Sequence, residues 1–235
     1  MTRNTRILWP SITVFFAAAI VSTLLFFTMP DNTLPDLKDS ILSLFIMRWG
    51  LVSFPDLPHF WPMQGSAFFS ENFFGLGLIL QFFRLFGFSD FKAYYGVLGV
   101  LFLINFIVPA LYVRGWGAKI PTMLMIGFGS ACFPYLLAYK AHPHNWPIAW
   151  LLVLGFEALR YAETGRFKFI RLMTVMGTLP LFSMYMAYFG ILFLLMFFIM
   201  YPSIIRKVFI ACRSSLPKSL FLVLVTVLYG SLATL

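Results

Sequence analysis

Charge is scarce in this sequence. Only 11% of its 235 residues are Asp, Glu, Lys or Arg, and just eight are acidic, whereas soluble domains carry roughly 25% charged residues. So few carboxylates cannot coat a water-facing surface, which excludes a soluble globule. Cysteine is also nearly missing. Cys132 lies in an apolar run and Cys212 in a basic loop, neither has a partner at metal-ligand spacing, and the two say nothing about redox compartment. Cys132 reads as a small buried hydrophobe. No alternation of period two and no internal repeat stands out, which leaves a helical fold. Charges near the middle of the apolar runs are almost absent as well. An ion-coupled transporter needs such groups, so this absence disfavours one.

What is abundant is apolar. Hydrophobic residues make up 61% of the chain, and the mean hydropathy is +0.89. Runs near the length of a membrane span recur at 7 to 28, 93 to 113, 120 to 138, 146 to 159, 169 to 182, 184 to 202 and 217 to 235. A shorter one covers 72 to 88. The first run exceeds a signal-peptide core and lacks a small-x-small cleavage site, so it reads as a retained helix. The net charge of +9 sits in short clusters between apolar runs, as in membrane proteins rather than nucleic-acid binders.

Those clusters orient the chain. With 72 to 88 at the outer surface, one side receives Arg3, Arg6, Arg114, Lys119, Arg160, Arg166, Lys168, Arg171, Arg206, Lys207, Arg213 and Lys218. The other keeps Lys38, Arg48, Arg84, Lys92 and Lys140. Letting 72 to 88 span would invert the later loops and oppose the positive-inside bias. Seventeen residues interrupted by Gly75, Gly77 and Arg84 are also marginal for crossing about 30 Å of hydrocarbon. The expectation is an all-α polytopic bundle forming a single membrane domain over 1 to 235. It has about seven spans and a cytoplasmic N-terminus in the cell membrane. A large outer loop, 29 to 92, carries interfacial or re-entrant helices. The last run stops at Leu235 without a polar anchor, so the chain reads as a piece of a longer protein.

Polar chemistry converges on the outer face. The loop 29 to 92 holds Asp31, Asp36, Asp39, Asp56, Glu71 and Asp90, and the short loop from Lys140 to Trp146 adds His142 and His144. Asp39-Ser40 precedes the apolar stretch 41 to 47, an N-cap signature ahead of a short interfacial helix that would set Arg48 and Trp49 at headgroup depth. Pro55, Pro58 and Pro62 then extend the chain.

In order and spacing the chain resembles the GT-C superfamily of membrane glycosyltransferases, which use polyprenyl-phosphate-linked sugars at the outer face. One N-terminal span runs into a long outer loop with early acids, here Asp36 and Asp39. Trp49 and Trp61-Pro62-Met63-Gln64-Gly65 are similar to a tryptophan helix and proline-x-glycine element of that loop. Phe128-Gly129-Ser130-Ala131-Cys132-Phe133-Pro134, followed by His142 and a Trp-Pro pair, resembles the third span and second outer loop of bacterial members. Leu181-Phe182-Ser183-Met184-Tyr185 resembles a later leucine-x-serine-x-x-tyrosine segment. One departure is that the second outer loop carries His142 and His144 where many members have an acid.

The resemblance implies sugar transfer from a polyprenyl-phosphate donor to an acceptor glycan, lipid or protein. Such a reaction needs a base for the acceptor hydroxyl and positive charge for the departing phosphate. Asp39 is the leading candidate base, with helix capping as its alternative role, and Asp36 is the second candidate. For Asp31 and Asp56 a solvated loop charge is the plainer reading. Arg48, Arg84 and Lys140 are outer cations able to meet a phosphate, with Arg48 and Lys140 preferred; Arg84 and Lys92 are explained by snorkelling. His142 and His144 fit a metal ligand pair, a phosphate anchor or headgroup hydrogen bonding. Tyr185 enters through the resemblance as a substrate-binding position. A divalent metal is left open, since a lone His-x-His supplies too few ligands. Glu157, near Arg160 and Arg171, reads as a structural ion-pair partner. A non-catalytic subunit and a lipid-linked substrate transporter or flippase are the competing readings.

Overall fold

The computed structural model describes residues 3–29, 33–49, 73–165, 168–206 and 210. Among these residues every regular element is helical. Helix α1 (Arg3–Ser22) continues into a π-helical turn, Thr23–Phe27. It is followed by α2 (Leu37–Trp49), α3 (Phe74–Leu85), α4 (Asp90–Arg114), α5 (Ile120–Ala131), α6 (Pro134–Ala138), a 3-10 turn at Pro143–Asn145, α7 (Ile148–Thr164), α8 (Phe169–Phe182) and α9 (Met184–Met200). The Trp61 to Gly65 element, Asp31, Asp56, Glu71, Cys212 and the run 217 to 235 lie outside the described residues.

Among the described residues two helices are long and apolar enough to cross a membrane, the α1 stretch Trp9–Phe26 and α4. Helices α3, α5 and α9 are apolar but shorter. The run expected over 120 to 138 is broken between α5 and α6. Phe133 precedes Pro134, whose ring disfavours helical backbone in the residue before it. The division between 169 to 182 and 184 to 202 matches a local device. Ser183 is extended at φ −161°, and its hydroxyl accepts from the Met186 N–H at 3.0 Å to start α9.

Helix α4 is the central element. Ser89 caps it by accepting from the Lys92 N–H, and Tyr94, Leu98, Leu101, Phe102, Asn105 and Phe106 are all fully buried. Ser22 of α1 donates to the Gly99 carbonyl at 3.0 Å. Gly127 lets α5 approach closely, because a Cβ there would meet the Phe106 ring at 2.7 Å. Large apolar side chains on α1 (Trp9, Phe16, Ile20) and α9 (Leu195, Ile199, Met200) stay exposed, the reverse of a water-soluble surface.

The bundle has two chemically distinct ends. At one end, the chain leaving α1 meets the start of α4, where Lys92 donates to the Met29 carbonyl, and Phe26 packs on Phe102 and on Trp146 ahead of α7. Helix α3 begins and finishes at this same end. A Cβ on its Gly75 would meet the Leu181 carbonyl at the end of α8, and Arg84 in its last turn reaches Asp90 at the start of α4. At the opposite end, Arg114 donates to Ser11 at 2.6 Å, Tyr161 and Ser203 share a 2.9 Å hydrogen bond, and Arg171 meets Glu157.

Candidate functional site

Helix α2 and the loop between α6 and α7 form one junction. Helix α2 begins at Leu37, three residues before the start that the Asp39-Ser40 signature suggests. Asp36 is therefore its capping residue, accepting from the Lys38 N–H at 3.0 Å while the Ser40 hydroxyl accepts from the Asp36 N–H at 3.2 Å. This corrects the capping role considered for Asp39. Asp39 sits in the first turn, where the helix dipole favours a carboxylate, and points to the facing loop.

Three consecutive loop residues are clamped there. The Lys140 carbonyl accepts from the Tyr94 hydroxyl at 2.8 Å, the Ala141 carbonyl accepts from the Ser43 hydroxyl at 2.9 Å, and His142 Nε2 lies 3.3 Å from Asp39 Oδ2. Asp39 is 51% exposed and His142 32%, so the pair is open to a ligand rather than sealed in the core. Deeper in, the His144 ring stacks on Phe73 at 5.1 Å and meets His142 edge to face at 5.5 Å. His144 Nδ1 is buried without a hydrogen-bond partner among the described residues. Burial, with His142 adding to it, pulls the His144 imidazole down from its ordinary 6.5 to about 4, so it is neutral at pH 7. Phe73 holds φ at +50°, a conformation costly for a bulky residue, right beside this stack.

The loop is then tied down. Asn105, buried in α4, donates to the Trp146 carbonyl at 2.7 Å and accepts from the Ala149 N–H at 3.0 Å, fixing the entry into α7. Helix α9 packs against the Pro143–Asn145 turn. Tyr185 stands in the first turn of α9 at that end, half-exposed, with its ring on Phe189 at 4.9 Å.

Arg48 is not a free cation. It reaches Asp90 at 2.6 Å, and Arg84 reaches the other Asp90 oxygen at 2.8 Å. The cause is local: the last turns of α2 and α3 carry the arginines and the first turn of α4 carries the acid, the arrangement helix dipoles favour. Lys92 donates to the Met29 carbonyl at 2.8 Å. Neither Lys140 nor Lys38 has an ionic partner among the described residues, and of the two Lys140 belongs to the loop that carries His142. Among those residues no group of three or more His, Cys, Asp or Glu side chains is placed to hold a metal.

Tyr94, Phe73 and Asn105 are structural members of this site that the sequence does not mark. No family model, curated protein or solved structure matches the chain.

Proposed function

We propose that this chain is a polytopic membrane glycosyltransferase of GT-C type, transferring a sugar from a polyprenyl-phosphate donor to an acceptor at the outer face of the membrane. In this reading about seven spans cross the bilayer, α3 lies flat at the outer surface, and the N-terminus is cytoplasmic. The separation of the two ends supports it. Among the described residues the end with Asp39, His142 and Asp90 carries Lys38, Arg48, Arg84, Lys92 and Lys140, and the other carries Arg114, Lys119, Arg160, Lys168, Arg171 and Arg206 besides the two arginines that begin α1, the direction the positive-inside bias favours.

The observation that carries the reading is the 3.3 Å contact between Asp39 and His142, an exposed carboxylate in the first turn of α2 oriented by an imidazole from the α6–α7 loop. In the proposed reaction the Asp39 carboxylate takes the proton of the acceptor hydroxyl as that oxygen bonds to the anomeric carbon. The bond from that carbon to the phosphate oxygen breaks, and polyprenyl phosphate leaves with the electron pair. Lys140 supplies positive charge to the departing phosphate.

The test uses the full chain in membranes, polyprenyl-phosphate donors bearing radiolabelled sugars, and an Asp39→Asn variant that inserts normally. Transfer of label by the wild type and its loss in Asp39→Asn is the expected result. No transfer from any such donor, or undiminished transfer by Asp39→Asn, overturns the reading.

A further inference from the structure

The opposite end of the bundle contains a polar cavity that the proposed sugar transfer does not use. Tyr94 and Tyr112 are 18 residues apart on α4, which places this cavity roughly 27 Å along the helix from the Asp39 junction at 1.5 Å per residue. Its volume is about 420 Å³, and its walls include Tyr112, Trp116, Arg160, Lys168 and Arg171, with Val108 and Leu111 on the apolar side. That volume lies within the roughly 300–1,000 Å³ typical of small-molecule sites.

One of these cations, Arg171, is held in place by a buried framework. Glu157 is 2% exposed and accepts from Arg171 at 2.9 Å and from the Tyr112 hydroxyl. The Arg171 guanidinium also lies over the Tyr112 ring, 5.1 Å from its centroid. That ring stacks on Phe156 at 5.1 Å, and Trp116 closes edge-on against the same phenylalanine. Arg171 is thus oriented with its outer edge free, 40% exposed. Arg160 and Lys168 have no ionic partner among the described residues. Three cations against one acid leave the cavity with two surplus positive charges.

We infer that this cavity binds a phosphate group, and that its source is the headgroup of an anionic phospholipid. Arginine forks match phosphate oxygens in pairs, and Lys168 adds a mobile point charge. The apolar wall of Val108 and Leu111, continuous with a helix apolar enough to span a membrane, suits the glycerol and first acyl carbons of a lipid better than a fully hydrated anion. Basic pockets between helices at a membrane surface recognise lipid headgroups by this chemistry. The inference does not rest on the glycosyltransferase reading and survives its failure.

The experiment is native mass spectrometry of the full chain in detergent, titrated with phosphatidylglycerol, with phosphatidylcholine as the zwitterionic control. One phosphatidylglycerol is retained per chain, and phosphatidylcholine is not. The Arg160→Gln/Lys168→Gln double variant binds it about tenfold more weakly, whereas Lys119→Gln, an exposed cation at the same end, leaves binding unchanged. Should the double variant fold poorly by size exclusion, Lys168→Gln alone is expected to lose about threefold. Equal retention by wild type and cavity variants, or an equal loss in Lys119→Gln, overturns the site. Displacement of the lipid by millimolar inorganic phosphate assigns the cavity to soluble phosphates and overturns the lipid.

Discussion

His142 reaches across from the α6–α7 loop to place its Nε2 3.3 Å from the carboxylate of Asp39 in the first turn of α2. Both groups are substantially exposed, so the contact contributes little to stability, within the roughly 0–1 kcal/mol of surface ion pairs. Asp39→Asn is therefore expected to leave thermal unfolding in detergent nearly unchanged while lowering sugar transfer by about 100-fold or more, the range of lost general-base catalysis. His142→Gln, which loses the orienting ring, lowers transfer about tenfold, and the double variant is no worse than Asp39→Asn alone. Additive losses would show that the two residues act separately.

How far this junction could be read in the sequence follows from distance along the chain. Apolar run length located α4, α8 and α9 to within a few residues, because hydrophobic runs are local. Charge counting put Asp39 and His142 on one face, but the contact itself depends on Ser43 and Tyr94 gripping Ala141 and Lys140 from two different helices, which no spacing reveals. Arg48 reads from the sequence as a phosphate ligand, and the sequence does not show its pairing: Asp90 meets both Arg48 and Arg84 only because three helix ends converge. The capping role was displaced from Asp39 to Asp36 by three residues, since both positions carry the residue type that caps favour.

His144 supplies a pH dependence. Its imidazole is held near 4 in the folded protein by burial and by His142, against 6.5 ordinarily. Above pH 6.5 both folded and unfolded states are neutral at this position, so its stability is fully present. As pH falls from 6.5 towards 4 the unfolded state takes up a proton that the folded state refuses, and up to about 3 kcal/mol is lost. Thermal unfolding followed from pH 7.5 to pH 4.5 should show this decline. His144→Phe, which keeps the stack on Phe73, should flatten it; an unchanged slope would place the titrating group elsewhere.

Asn105 anchors the loop from within α4. Its amide makes two hydrogen bonds to the backbone of 146 and 149, and the residue is fully buried. Asn105→Leu leaves the Trp146 carbonyl and the Ala149 N–H without these partners, and costs roughly 1–3 kcal/mol. Because the loop carries His142, the same variant should reduce transfer, with the loss in maximal rate exceeding any change in apparent donor affinity. Wild-type stability and rate would remove the anchoring role.

The Arg171 and Glu157 pair should respond asymmetrically to substitution. Glu157 is 2% exposed and Arg171 40%, so the two partners differ in what each does when left alone. With Glu157→Gln, Arg171 turns its guanidinium towards water or a bound phosphate, and the amide still accepts from Tyr112; the cost is roughly 1 kcal/mol. With Arg171→Leu, a buried carboxylate loses its only cation among the described residues, and the cost rises to roughly 3–5 kcal/mol. Chemical unfolding of the two variants side by side measures the difference. The order also separates two roles of Arg171, because Glu157→Gln should keep or strengthen phosphatidylglycerol binding while destabilising the bundle, whereas Arg171→Leu weakens both. Equal costs for the two variants would mean that water reaches Glu157, and that Arg171 is not oriented by a buried acid.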